Sequence, residues 1–275
     1  MGLKRMETRD QLLIELKQIE KWEKDQKGLW FWERLGRIPF KMLDKLTPKF
    51  IQDKIGTLLD ELGSYLQTGG QYLSNEKTVF NFIEKKTGQK INQLVDIQEI
   101  PVSVMKQAAL ELGEQRKKVA TVQGASTGIG GIFTLAIDIP AVLGMSLKTL
   151  QEIAMIHGYD PNEKEERVFI IKCLQFSSAD VVGKQAIINE LSEYGNSDKQ
   201  TREVISQLQG WREVTVTFTE QFGWKKLFQM IPVAGILFGA FANRSMISDL
   251  AEVGTMLYQK RRIVERLGDD ERGNL

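Results

Sequence analysis

The chain has 275 residues, enough for one large hydrophobic core or two small ones, and its 27% charged and 42% hydrophobic residues are typical of a folded protein. A net charge of +1 provides no overall attraction to nucleic acid, so we expect no nucleic-acid partner. One cysteine (Cys173) and one histidine (His157) exclude an internal disulfide and argue against His/Cys metal sites, so we expect no metal and no cofactor. The first ten residues lack the apolar core of a secretory signal, which favours a cytoplasmic location.

Apolar residues recur at helical spacing through most of the chain. The first predicted helix has one apolar face, formed by Leu12, Leu13, Leu16, Ile19 and Trp22. Caps, prolines and glycines then delimit three more helices: one from Thr47-Pro48 to Gly69-Gly70, one from Ser74 or Asn75 to Gly88, and one from Pro101 to Val119.

The sequence Asp160-Pro161-Asn162-Glu163 is typical of a helix start, with a cap, a proline and an acid three residues later. The segment 214–218 alternates like a strand, but no second strand flanks it, and we assign it to a helix. Because strands and helices do not alternate along the chain, a parallel sheet is not expected. The predicted fold class is all-α, a multi-helix bundle with two glycine-rich apolar helical hairpins.

The first of these hairpins contains Gly-Ala-Ser-Thr-Gly-Ile-Gly-Gly at 124–131, within 19 uncharged residues between Lys118 and Asp138. This motif is similar to the cofactor-binding turn of short-chain dehydrogenases, in which glycines let the backbone approach a pyrophosphate. A charged stretch precedes it here instead of an apolar strand, and no tyrosine is followed by lysine four residues later. The nucleotide interpretation is therefore disfavoured.

A packing role suits the same glycines better. Gly124 and Gly128 have the four-residue spacing that lets helix backbones approach closely, and Gly131 lies just beyond them. Asp138 and Pro140 follow, so the run is a marginal membrane span and a buried hairpin with Pro140 at or near the kink is expected. A second uncharged stretch of 17 residues, between Lys226 and Arg244, repeats the spacing at Gly235 and Gly239. An amphipathic helix follows each stretch, at 145–156 and at 247–264.

The glycine segment 124–131, Asp138-Ile139-Pro140, Ile153-Ala154 and the two motifs at 158–161 and 165–167 together resemble the EcsC family. The resemblance is specific from Gly124 to Gly183 and looser from Trp224 to Arg262. It implies a helical, cytoplasmic or membrane-associated protein, encoded beside an ABC transporter and connected with secretion. On this basis we divide the chain into an N-terminal aromatic-basic region (1–46), an EcsC-like helical domain (47–267) and a polar tail (268–275).

Several residues in these motifs are candidates for a functional or structural role. Asp138 lies in the most apolar part of the chain, where a carboxylate could bind a cation or carry a proton; alternatively it caps a helix or pairs with Lys148, Arg167 or Arg244. His157 precedes Gly158 at an expected helix end, where it can interact with the terminal carbonyls, and Cys173 is expected to be a core residue. The complete candidate set is Gly124, Gly128, Gly131, Asp138, Pro140, Asp160, Arg167, Gly235, Gly239 and Arg244.

The segment Lys27–Lys54 is the best candidate for a membrane contact. It carries seven Lys/Arg against three acids and interleaves them with aromatic residues, a composition that suits the headgroup zone of an anionic leaflet. Alternatively, the aromatic residues belong to the core and the lysines to a solvated face. The stretch Tyr258–Arg262 is a second basic patch with the same two interpretations. The predicted membrane-contact residues are Trp30, Trp32, Arg34, Arg37 and Lys41.

Three functions remain open from sequence. The leading hypothesis is a non-enzymatic helical protein at the cytoplasmic membrane face that contacts anionic lipid or a membrane-protein partner, such as an ABC transporter. The second is an enzyme or small-ligand-binding protein with a site around Asp138. The third is a purely structural protein–protein interaction module.

Overall fold

The computed structural model describes residues 7–26, 60–69, 74–127, 135–178, 184, 187–189, 191 and 243–273, with the backbone alone at 122–127, 135–142, 178, 243–245 and 269–273. These ranges contain helices and no strand, so the all-α prediction is confirmed. The helices are α1 (Arg9–Asp25), α2 (Glu76–Thr87), α3 (Leu94–Gln98), α4 (Val102–Thr127), α5 (Leu135–Ile156), α6 (Lys164–Ser178) and α7 (Asn243–Gly273). Residues 60–68 form a further helical stretch.

Local chemistry defines the ends of the shorter helices. Thr8 and Gln11 form a reciprocal capping box at the start of α1, and Leu12 and Ile19 on its predicted apolar face are buried. The Asn75 side chain accepts a hydrogen bond from the Lys77 backbone N–H at the start of α2, which ends at Gly88 as predicted.

Three boundaries differ from the sequence prediction. Helix α4 does not end near Val119 but continues to Thr127, so it includes Gly124. Helix α5 begins at Leu135 and continues through Pro140, which is therefore not at the turn of a hairpin. Helix α6 begins at Lys164, because the Asp160 carboxylate accepts the Asn162 backbone N–H at 2.8 Å and holds a separate turn before the helix.

Helix α7 lies at the centre of the bundle and packs against α4, α5, α6 and α1. Helix α4 runs antiparallel to it: Arg266 donates to the carbonyl of Ile100, just before α4, and Gly113 in the middle of α4 faces Ala251. A Cβ placed on Gly113 would lie 2.7 Å from the Cβ of Ala251. The two helices can approach this closely because position 113 lacks a side chain.

The remaining helices share a consistent direction. Helix α5 runs parallel to α7, because Leu150 approaches Gly254 whereas the carbonyl of His157 lies at Arg262. Helices α6 and α1 run antiparallel to α7. Trp22 near the end of α1 bonds to Glu252 and its ring lies 5.8 Å from that of Phe176 near the end of α6, whereas Glu166 near the start of α6 bonds to Tyr258. Consequently α4, α6 and α1 end, and α5 and α7 begin, at one side of the molecule. We call this side the Asn243 end of the bundle.

Helix α5 is enclosed by its neighbours, and every residue from 149 to 159 is buried. The expected amphipathic character of 145–156 is therefore wrong for its last two turns: side chains that look like a solvated face, including Gln151 and Glu152, lie in the core. Among the described helices, none combines the length and the apolarity needed to cross a membrane.

Candidate functional site

One face of α7 carries a group of charged side chains, of which Arg262 and Arg266 are buried. Residues 258, 261, 262, 265 and 266 are three or four positions apart, so their side chains lie on one side of the helix. Arg262 and Arg266 are only 7% and 3% exposed, an unusual degree of burial for a cation, which requires partners for each guanidinium.

Glu166 is the acidic centre of this group. Its carboxylate accepts a hydrogen bond from the Tyr258 hydroxyl at 2.5 Å and an ion pair from Arg261 Nη1 at 2.8 Å. Burial raises the pKa of Glu166, and the nearby Arg261 charge and the Tyr258 hydroxyl partly offset this rise. Burial and the Glu166 charge raise the pKa of Tyr258, so the phenol keeps its proton and acts as the donor.

Tyr159 lies between two arginines of the same face. The guanidinium of Arg261 lies 4.1 Å and that of Arg262 4.2 Å from the Tyr159 ring centroid, and the Tyr159 hydroxyl donates to Glu265 at 2.8 Å. Arg262 also donates twice to the backbone carbonyl of His157, at 3.0 and 2.7 Å. These contacts tie α7 to the chain that leaves α5.

That chain leaves α5 through a left-handed glycine. Gly158 has φ +78°, its N–H bonds to the Met155 carbonyl, and the Tyr159 N–H bonds to the Ala154 carbonyl, which together form a Schellman motif. The predicted helix end before Gly158 is confirmed. His157 precedes it, fully buried, and Nδ1 lies 2.8 Å from the Ile153 carbonyl oxygen.

His157 and Cys173 are two further buried residues near Glu166 whose side chains could carry covalent or acid–base chemistry in an open site. Burial lowers the pKa of His157 to about 4, so the ring is neutral, and its Nε2 has no hydrogen-bond partner among the described residues. Burial and the Glu166 charge raise the pKa of the Cys173 thiol, which is therefore protonated and a poor nucleophile. Both side chains are 0% exposed, so the centre holds the helices together and is closed to a substrate.

A second buried charge lies on the opposite side of α5. The Glu152 side chain is 2% exposed and forms two hydrogen bonds with Arg116 of α4, to Nε at 2.7 Å and to Nη2. The neighbouring residue Gln151 has a backbone partner instead: its side-chain oxygen accepts a hydrogen bond from the Ser74 backbone N–H at 2.9 Å. Gln151 and Glu152 are thus buried with hydrogen-bond partners on other elements.

Two residues of the candidate set have described side chains, and both hold the backbone. Asp160 accepts from Asn162, and Arg167 donates to the carbonyls of Asn162, Leu66 and Gln67. Arg167 thereby fastens the helical stretch 60–68 to the start of α6. Gly124 lies in α4, Asp138 and Pro140 in α5, and Arg244 in the first turn of α7, where the backbone alone is described. The glycines at 128, 131, 235 and 239 and the membrane-contact residues Trp30, Trp32, Arg34, Arg37 and Lys41 lie outside the described residues.

Of the two interpretations of Tyr258–Arg262, the second is right for Tyr258, which is buried in the core, but the basic residues are paired with acids instead of forming a solvated face. Lys260 pairs with Glu23 at 2.8 Å, Arg261 with Glu166, and Arg262 with Glu265 at 3.0 Å. Sequence reasoning did not identify Glu166, Glu152 or Arg266 as buried partners. The available signal was the 258, 262, 266 spacing along one helix, but Glu166 and Glu7, which bind Tyr258 and Arg266, are far away in sequence.

Comparison with known proteins agrees with the resemblance found in the motifs. The model of the EcsC protein family matches residues 14–263, so the chain belongs to the EcsC family. It is 59% identical to the uncharacterized protein YdbA of Bacillus subtilis over 267 residues, which cover 97% of this chain and 98% of that protein. It is 26% identical to Protein EcsC of the same organism over 153 residues, 56% of this chain and 61% of that protein. No solved structure has a significant match.

Proposed function

We propose that this protein is a non-catalytic helical scaffold that works at the cytoplasmic face of a membrane, where it contacts anionic lipid or a membrane-protein partner. One observation carries the proposal: four described residues that border 27–59, 128–134 and 192–242 in the sequence lie at the Asn243 end. Gln26, Thr127, Leu135 and Asn243 all lie there.

The composition of the three segments that these residues border predicts an anionic lipid surface as the partner. The first contains the aromatic-basic Lys27–Lys54, and the other two contain the glycine-rich uncharged stretches. Basic residues with interleaved tryptophans suit anionic headgroups, and each Lys or Arg near such a surface contributes about 1 kcal/mol.

The closed core supports the non-catalytic part of the proposal. Cys173 and His157 are 0% exposed, and Glu166 is only 3% exposed, with its carboxylate bound by Tyr258 and Arg261. The basic stretch near the end of α7 has its charges paired internally, so attraction to an anionic surface depends on Lys27–Lys54. An ABC transporter as the partner rests on the family resemblance and belongs to the same proposal.

Vesicle co-sedimentation tests the lipid contact. We expect the full chain to bind vesicles containing phosphatidylglycerol and not pure phosphatidylcholine vesicles, with binding that weakens as salt rises. The triple variant Arg34→Gln, Arg37→Gln, Lys41→Gln should lose about 100-fold in affinity, because three contributions of about 1 kcal/mol are removed. The matched control removes three exposed charges from α1, at Lys17, Lys21 and Lys24, and should change little.

A second co-sedimentation experiment, with native membrane vesicles, distinguishes a lipid partner from a protein partner. Binding that survives protease treatment of those vesicles indicates lipid, whereas binding that is lost indicates a membrane protein. A protein that sediments with neither vesicle type, or whose control variant loses as much as the Arg34/Arg37/Lys41 variant, contradicts the proposal.

A further inference from the structure

A cleft of about 310 Å³ opens between α2, α4 and α5. Its volume lies at the lower end of the range for small-molecule sites, which are mostly apolar with a few placed polar groups. The apolar wall consists of Val79 and Phe82 from α2, Leu112 from α4 and Ile156 from α5. Three helices thus form a preshaped apolar surface that is open at one side.

The polar groups of the cleft leave one uncompensated positive charge. Glu152 at the base is neutralised by Arg116 through Nε and Nη2. Lys85 also lines the cleft, is exposed, and has no charged or hydrogen-bonding partner among the described residues. The next lysine along α2 differs: Lys86 pairs with Glu111 of α4. The charges of Lys85, Arg116 and Glu152 therefore sum to +1.

The free edge of Arg116 adds a directed donor. Its Nε and Nη2 are used by Glu152, while Nη1 has no hydrogen-bond partner in the part of the chain that the structure describes. A guanidinium edge and an ammonium group beside an apolar wall match a carboxylate on an apolar body. A dianion would leave one negative charge unmatched, and a neutral apolar compound would leave Lys85 unused.

We propose that this cleft binds a small amphipathic monoanion, a carboxylate with a single short apolar chain. The apolar chain lies on Val79, Phe82 and Leu112, and the carboxylate faces Lys85 and Arg116. The small volume selects a free single-chain carboxylate over a two-chain lipid. The site is independent of the proposed membrane contact, because none of these residues belongs to Lys27–Lys54.

Octanoate is the probe, and octanamide is its uncharged counterpart. We expect octanoate to bind the full chain saturably in calorimetric and NMR titrations, several-fold more tightly than octanamide. Lys85→Gln should raise the octanoate Kd about threefold, as expected for one partly exposed ion pair, and Lys85→Glu should raise it further, while octanamide binding stays the same. Lys77→Gln, on the exposed side of α2 outside the cleft, is the matched control and should leave the octanoate Kd unchanged.

A second variant locates the apolar chain. Thr78 is exposed at the mouth of the cleft, so Thr78→Trp should block octanoate and octanamide alike while the far-UV circular dichroism remains that of the parent. Lack of saturable octanoate binding, equal binding of octanamide, or indifference to both Lys85 substitutions would overturn the proposal. Lys85→Gln should still bind phosphatidylglycerol vesicles, so failure here and failure of the membrane proposal are separate results.

Discussion

The Tyr258 hydroxyl donates a 2.5 Å hydrogen bond to the carboxylate of Glu166, and both residues are buried. The two lie 92 positions apart in the chain and join α7 to α6. Arg261 binds the second carboxylate oxygen, so a buried negative charge has a neutral donor on one oxygen and a cation on the other. The Tyr258 hydroxyl should therefore contribute more to the free energy of unfolding than the hydroxyl of an ordinary core tyrosine.

Tyr258→Phe should therefore destabilise the protein by about 2 kcal/mol, because hydrogen bonds to charged groups contribute about 1.5–3 kcal/mol. The free energy of unfolding in urea measures the effect. Tyr65→Phe is the matched control, since the hydroxyl of Tyr65 is equally buried but only accepts a long 3.4 Å hydrogen bond from Gln151. We expect the control to lose less than about 1 kcal/mol. Equal losses in the two variants would contradict the role assigned to Glu166.

Arg116→Met should cost about 3–5 kcal/mol, because it leaves the buried Glu152 carboxylate without its cation. Lys117→Met removes the adjacent lysine, whose ion pair with Glu114 is largely exposed and should contribute at most about 1 kcal/mol. Urea unfolding of both variants gives the comparison. Adding Glu152→Gln to Arg116→Met should restore part of the stability, since the buried charge is then gone. If the double variant is as unstable as the single one, the unpaired charge is not the cause.

The pH dependence of stability should report on His157. Burial lowers its pKa from 6.5 to about 4, so below pH 6.5 the unfolded chain takes up a proton that the folded protein does not. The stabilising contribution is present above pH 6.5 and is lost as the pH falls toward 4. Between pH 7 and 4.5 we expect a loss of about 2 kcal/mol from this group.

His157→Gln removes that titration, so its free energy of unfolding should fall about 2 kcal/mol less than that of the parent over the same pH interval. Glu166 titrates with the opposite sign, because its raised pKa means that its contribution decreases as pH rises. That contribution cancels when the two proteins are compared at each pH. Parallel pH profiles would show that His157 is accessible to protons in the folded state.

The helices and several of their ends could be predicted because the relevant signals are local. Caps such as Asn75 and glycines such as Gly88 and Gly158 act within one or two turns, and the sequence places them side by side. The length of α4 and the position of Pro140 inside α5 were missed because packing against other helices overrides a weak local stop signal.

The buried polar centre could not be predicted, for a different reason. Gln151 and Glu152 form what looks like the solvated face of an amphipathic helix, and only the positions of Ser74 and Arg116 in space show that this face is internal. The same holds for Tyr258–Arg262, because this sequence is compatible both with an exposed basic patch and with basic residues that are paired inside the bundle. Contacts between residues far apart in the chain decide between these two structures, and a single sequence does not reveal such contacts.

The close approach of α4 and α7 gives the last prediction. Ala is normally favoured over Gly in a helix by about 1 kcal/mol, but a methyl group on Gly113 would lie 2.7 Å from the Cβ of Ala251. Gly113→Ala should therefore destabilise the protein by about 1–2 kcal/mol, because neither Cβ can move without shifting a helix. Ala251→Gly alone should cost about 1 kcal/mol through backbone entropy.

Combining Gly113→Ala with Ala251→Gly moves the methyl group from one helix to the other and removes the clash. The double variant should therefore be more stable than the sum of the two single losses predicts, with a coupling of at least about 1 kcal/mol in a urea-unfolding double-mutant cycle. Additive losses would mean that the spacing of α4 and α7 is set elsewhere along the interface, for example by the Arg266 hydrogen bonds to the carbonyls of Gln98 and Ile100.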